Sequence, residues 1–168
     1  MALISGEENP LFDGISKEFF NAEVKVMSRN SDREEVLKVN ERFYKALATR
    51  DLKLMDTVWL KDSRTGCVHP GWIMLQGWEA IRQSWENVFD PKDQLDFKLL
   101  NINVEVRGEV AWVTCVQELI YLKRNPMLIN VSQSTNIFER HQSGWLMVLH
   151  HASPIPITHY EDTETQLQ

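Results

Sequence analysis

Two sets of residues have the types and spacing to do chemistry. The first is His69, in Cys67-Val68-His69-Pro70-Gly71-Trp72, with Trp78 and Trp85 following inside the next 16 positions. An imidazole titrates near neutral pH, as a general base should, and surrounding tryptophans would exclude water and move its pKa. His69 is therefore the candidate catalytic residue. The alternative is a half-buried histidine whose ring nitrogens bond backbone at the Pro-Gly corner. The second set is His150-His151. Neighbours on a strand point to opposite faces, so these two rings cannot chelate one ion together. One should face the interior and the other the outer face or a subunit contact. No third ligand converges on either, and no metal is expected. Trp59, Trp72, Trp78 and Trp85, with Tyr44, either form an aromatic wall for a flat apolar ligand or are simply core. Buried indole N–H groups need partners, which Gln117, Asn136 or His69 could supply. There is no Ser-His-Asp order, nucleophile elbow, glycine-rich phosphate loop or dinucleotide fingerprint. Hydrolase, kinase and oxidoreductase chemistry are thereby disfavoured, and no cofactor is expected.

The elements that must position these residues can be read in order. Ser31-Asp32-Arg33-Glu34 has the form of a capping box and predicts a helix start. Val36, Val39, Asn40, Phe43 and Leu47 follow at helical spacing. Thr49-Arg50-Asp51 interrupts the pattern, and Asp51 is a good cap for a shorter helix over Leu52 to Trp59. Cys67 to His69 ends a strand, Pro70-Gly71 is a turn signal, and Trp72 to Leu75 is a short extended run. A third helix opens at Gly77 with Trp78, Ile81, Trp85, Val88 and Phe89 on one stripe. Asp90-Pro91 should end it. Leu95 to Val106, Val110 to Leu122, Leu128 to Arg140 and Trp145 to Ser153 are rich in β-branched and aromatic residues and separated by short breaks. They predict four long strands joined as consecutive hairpins, in a sheet that must twist and curl.

The faces of these strands suggest a subunit contact. Val110 to Leu122 is largely apolar on both parities, so both faces need cover. Three helices can cover one; a second copy of the chain would cover the other. Asn130, Ser132, Ser134 and Asn136 form a polar row that either lines a wet pocket or makes a hydrogen-bonding patch at that contact.

Composition sets the wider limits. The chain has 168 residues, 43% hydrophobic and 25% charged, which fits one domain with an ordinary core. A net charge of −6 argues against nonspecific binding to nucleic acid or to an anionic membrane. No apolar run approaches the length needed to span a bilayer, and the start has neither a secretory nor a transit composition. Cys67 and Cys115 fit no metal spacing and are expected as packed, reduced thiols, which points to the cytoplasm.

The order helix–helix–strand–short strand–helix–four long antiparallel strands resembles the nuclear-transport-factor-2-like, or cystatin-like, superfamily. Within it, Trp59…Cys67-Val68-His69-Pro70-Gly71-Trp72…Gly77-Trp78…Ser84-Trp85 and the final strand Gly144 to Pro154 look like the SnoaL-like subgroup. The resemblance covers about Asp32 to Pro154. It implies an α+β fold: a cone-shaped barrel of curved, mainly antiparallel sheet, with four long C-terminal strands and short N-terminal ones, packed on three helices. The superfamily includes ketosteroid isomerase, polyketide cyclases, dehydratases, kinase association domains and transport adaptors, so fold alone does not fix function. Its enzymes place an Asp or His in the cone; no residue here matches a catalytic aspartate, and His69 is the best candidate by position and type.

The expected organisation is an N-terminal extension over 1–31, the SnoaL-like domain over 32–154 and a polar tail over 155–168. Three functions fit. One is a non-catalytic, homodimeric binding domain with an aromatic-lined cone for a small apolar ligand. In it Tyr44, Trp59, Trp72, Trp78, Trp85, Gln117, Asn136, His150 and His151 would touch the ligand. Another is a cofactor-independent isomerase, cyclase or dehydratase with His69 as base. The third is an accessory or assembly factor that docks on a protein partner through residues 11–27, where Phe19, Phe20, Val24 and Met27 share a helical face.

Overall fold

The computed structural model describes the backbone of residues 10–89, 95–121 and 128–156, with side chains for 30–89, 96–120 and 129–156. The apolar face expected over residues 11–27, the Asp90-Pro91 stop, the break at Lys123 to Pro126 and the tail beyond Pro156 lie outside what is described. The chain divides into two compact units, Met1–Asp32 and Arg33–Gln168.

Helix α1 spans Pro10–Thr49. The helix start expected at Ser31 is therefore corrected, because Ser31 to Glu34 lie within α1. An N-cap needs a residue out of helical geometry. Nothing here forces that, since neither Gly nor Pro occurs between Ile15 and Thr49. At the other end Arg50 turns into the left-handed region (φ 54°) and stops the helix. Asp51 then caps α2 (Leu52–Asp56), its Oδ1 accepting from the Leu54 N–H at 2.9 Å.

Six strands make one open sheet in the order β2-β1-β6-β5-β4-β3. They are β1 (Gly66–Val68), β2 (Leu75–Gln76), β3 (Leu95–Arg107), β4 (Val110–Tyr121), β5 (Leu128–His141) and β6 (Gly144–Pro154), with α3 (Trp78–Val88) between β2 and β3. β1 pairs parallel with β6; all other pairs are antiparallel. The sheet does not close into a barrel: β2 and β3 are left as edges. Bulges between Leu100 and Asn103, and between Ile137 and Phe138, interrupt the register. Such bulges bend a strand and increase its twist.

The core lies between the helices and one sheet face. Val36, Phe43 and Leu47 of α1, Met55 of α2 and Trp78, Ile81 and Trp85 of α3 pack with Ala111, Val113 and Cys115 of β4, Phe138 of β5 and Met147 of β6. Phe43 stands at its centre, edge-on to Tyr44, Trp59 and Trp85. The polar row of β5 resolves to this inner side, with Ser132, Ser134 and Asn136 all buried. The opposite parity of β4 and β5 faces away from the helices. Register places Trp112 beside Ile137 and Ile137 beside Leu149 there.

Candidate functional site

A cavity of about 590 Å³ opens between the inner sheet face, α3 and the β1–β2 connection. His69, Trp72, Trp85, Phe97, Gln117, Ser132 and His150 are in its wall, and among the described lining residues none is charged.

The β1–β2 connection sets His69. Trp72 N–H donates to His69 C=O at 2.9 Å across Pro70-Gly71, with Gly71 at φ 81°. Pro at the second position and a positive-φ Gly at the third is a type II turn. It brings the Trp72 ring back edge-on to the His69 imidazole at 4.9 Å, and the Trp85 ring is also edge-on to it at 4.3 Å. Trp72 stays half exposed at the rim, whereas His69 and Trp85 are buried. The α3 start is held by Gly77 (φ 85°), whose N–H donates to Thr65 C=O, and by Trp78 N–H on Asp62 C=O.

Hydrogen bonds favour one tautomer of each inner histidine. Ser84 Oγ donates to Ile81 C=O at 2.7 Å. A hydroxyl carries one hydrogen, so across the 2.8 Å contact to His69 Nε2 the serine accepts and the ring donates. Nδ1 of His69 is left with its lone pair. Asn136 Nδ2 donates to Asn40 Oδ1 at 2.7 Å and to Tyr44 Oη at 3.4 Å. Its Oδ1 is thus the acceptor for His150 Nδ1–H at 2.6 Å. The lone pair of His150 is on Nε2. Burial lowers the His69 pKa to about 4. Burial, with repulsion from His69 and His151, lowers that of His150 to about 3. Both rings are neutral at physiological pH. Burial likewise pushes the Tyr44 phenol and the Cys67 thiol up, so both stay protonated.

The residues read from sequence divide clearly. His69, Trp72, Trp85, Gln117 and His150 come together in the cavity wall. Trp59 and Trp78 do not: they pack as core, with Trp59 Nε1 donating to Met55 Sδ. Tyr44 and Asn136 sit behind the wall in the polar network. His151 is on the outer face and exposed, which answers which histidine turns inward. The expected partners for the tryptophans are also corrected. Asn136 is committed to Asn40 and His150, while buried Trp85 Nε1 and Gln117 Oε1 have no hydrogen-bond partner among the described residues. Ser84, the partner of His69, and Asn40, the partner of Asn136, were missed. Both carried a signal, being polar residues on otherwise apolar helical stripes. Phe97 was missed as a wall residue, since only strand register brings it there, whereas Ser132, read as part of a row lining a wet pocket or a subunit contact, is in the wall. Cys67 and Cys115 are free and buried. Among the described residues no three His, Cys, Asp or Glu side chains are grouped to hold a metal, and no helix is long and apolar enough to cross a membrane.

Known proteins agree with this architecture. Residues 36–158 match the model of the SnoaL-like domain. The F-box protein SKIP8 of Arabidopsis thaliana is 30% identical over 118 residues, which are 70% of this chain and 48% of that protein. The chain thus spans about half the length of the curated relative it matches. Among solved structures, a candidate dehydratase of the NTF2-like family from Streptomyces avermitilis is 28% identical with a TM-score of 0.70, covering 76% of this chain and 98% of that one. A candidate calcium/calmodulin-dependent protein kinase type II association domain from Thiobacillus denitrificans is 26% identical with a TM-score of 0.59, over 70% and 93% of the two chains. An NTF2-like protein with a cystatin-like fold from Novosphingobium aromaticivorans, 19% identical with a TM-score of 0.68 over 82% and 89%, adds likeness of fold alone.

Proposed function

The chain belongs to the SnoaL-like domain family, and from that premise we propose that it is a non-catalytic binding domain whose cone takes a small, uncharged, largely apolar ligand. One observation carries the reading: a cavity of about 590 Å³ with no charged residue among its described lining. Pockets of this size bury most of a small ring compound. An ionic ligand would leave water here without a counter-charge, at a cost of several kcal/mol or more. His69 fits contact better than proton abstraction. A general base works best with a pKa near the working pH, and this ring is held at about 4.

A second reading is an isomerase, cyclase or dehydratase using His69 as base. It is supported by the likeness to a candidate dehydratase and by the free Nδ1 lone pair in the cavity wall. Long-range ¹H–¹⁵N spectra of the two imidazoles, followed through a pH titration, separate the readings. Binding expects both rings to stay neutral down to about pH 5, roughly one unit above the His69 value. A His69 ring that protonates near neutrality would favour the enzyme.

The proposal includes a homodimer through the outer sheet face. The apolar row Trp112, Ile137 and Leu149 supports it, as does the likeness to a candidate association domain. A cytoplasmic setting is supported by the two free thiols. Docking of a protein partner through residues 11–27 stays a third reading, supported by a helix that begins at Pro10 while the family match begins at residue 36.

A further inference from the structure

The binding reading leaves the ligand's chemistry open, and the hydrogen-bond bookkeeping of the wall narrows it. His69 has spent its one N–H on Ser84, and His150 has spent its own on Asn136. Neither Nδ1 of His69 nor Nε2 of His150 has a partner among the described residues, and both residues line the cavity. The Trp85 ring is 4.3 Å from His69 and 6.2 Å from His150, while its unpaired N–H and the unpaired Oε1 of Gln117 are both buried behind the surface. The unspent groups of the two wall histidines are thus acceptors.

We propose that the cavity selects an uncharged ring compound bearing a hydroxyl group, an alcohol or phenol whose O–H donates to His69 Nδ1 or His150 Nε2. This rests on the binding reading above and names its ligand class. A hydroxyl carries a hydrogen to donate, so it can satisfy a histidine nitrogen. An ether or ketone of the same shape sets lone pairs against lone pairs and leaves the nitrogens unpaired, which is the costly half of a missing hydrogen bond. A carboxylate does the same and also carries a charge into a wall without a cation. The tautomers are held from behind by Ser84 and by the Asn40–Asn136 pair, so the wall cannot switch to donating without breaking buried bonds.

Isothermal titration of the full chain at neutral pH with 2-naphthol, 2-methoxynaphthalene and 2-naphthoate tests this directly, because the three share one ring system. The proposal expects naphthol to bind about tenfold tighter than its methyl ether, the upper range for one neutral hydrogen bond, and naphthoate to show no binding. Equal affinity for naphthol and the ether would overturn the hydroxyl selection while leaving an apolar ring site intact. Tightest binding by naphthoate would overturn both the hydroxyl selection and the uncharged-ligand reading. No binding by any of the three would overturn the selection together with the reading of a cavity for flat rings. His69→Phe and His150→Phe keep an aromatic ring and remove one acceptor each. At least one should abolish the naphthol advantage while changing affinity for the ether less than about twofold, within a fraction of one hydrogen bond. An advantage that survives in both variants would overturn the role given to the histidines.

Discussion

At the scale of single residues, the site depends on a polar network placed where a core would ordinarily be apolar. Asn136 is fully buried and connects helix to sheet: its amide donates to Asn40 and its carbonyl accepts from His150. Removing it leaves two buried groups unpaired, each costing about 1–3 kcal/mol. Asn136→Ala should therefore lower stability by about 2–6 kcal/mol in urea unfolding. A loss below about 1 kcal/mol, the size of one ordinary hydrogen bond, would mean that the network does not hold the ring. The sequence displays this row at period two, Asn130, Ser132, Ser134 and Asn136, although Gln133 and Thr135 between its members are polar as well. It does not display which way the row faces. Period-two alternation establishes that a strand has two different sides, and only its neighbours decide which one meets the helices.

At the scale of elements, the four long strands, the α2 cap and the Pro-Gly turn were all legible, because each rests on local backbone chemistry. The start of α1 was not. A capping box is a local pattern that a long helix can absorb when no residue breaks it, and Ser31 is exposed within α1. Two substitutions distinguish a cap from a look-alike. Asp51→Ala removes the bond to Leu54 N–H and should cost about 1 kcal/mol. Ser31→Ala should be neutral or slightly stabilising, since alanine is the better helix former. A loss of about 1 kcal/mol at Ser31 would restore the helix start to that position. The site residues split by the same logic. Aromatics at helical spacing mark buried faces, so Trp59, Trp78 and Trp85 were all marked. Only the three-dimensional gap between α3 and the sheet decides that Trp85 borders a cavity and the other two fill core.

At the scale of the whole molecule, the sheet has helices on one face and an apolar row on the other. Trp112, Ile137 and Leu149 are each only half buried within one chain. A lysine placed in that row would have to lose its hydration on association. Ile137→Lys should therefore give a monomer in analytical ultracentrifugation while the far-ultraviolet spectrum is unchanged. A wild-type chain that already sediments as a monomer would remove the proposed contact. The central claim is the proposed binding of a small, uncharged ligand in the cavity, and native mass spectrometry under gentle and then denaturing conditions tests it most directly. The expected result is a dimer carrying a discrete extra mass that leaves on denaturation. A bare chain, with nothing lost between the two conditions, would contradict it.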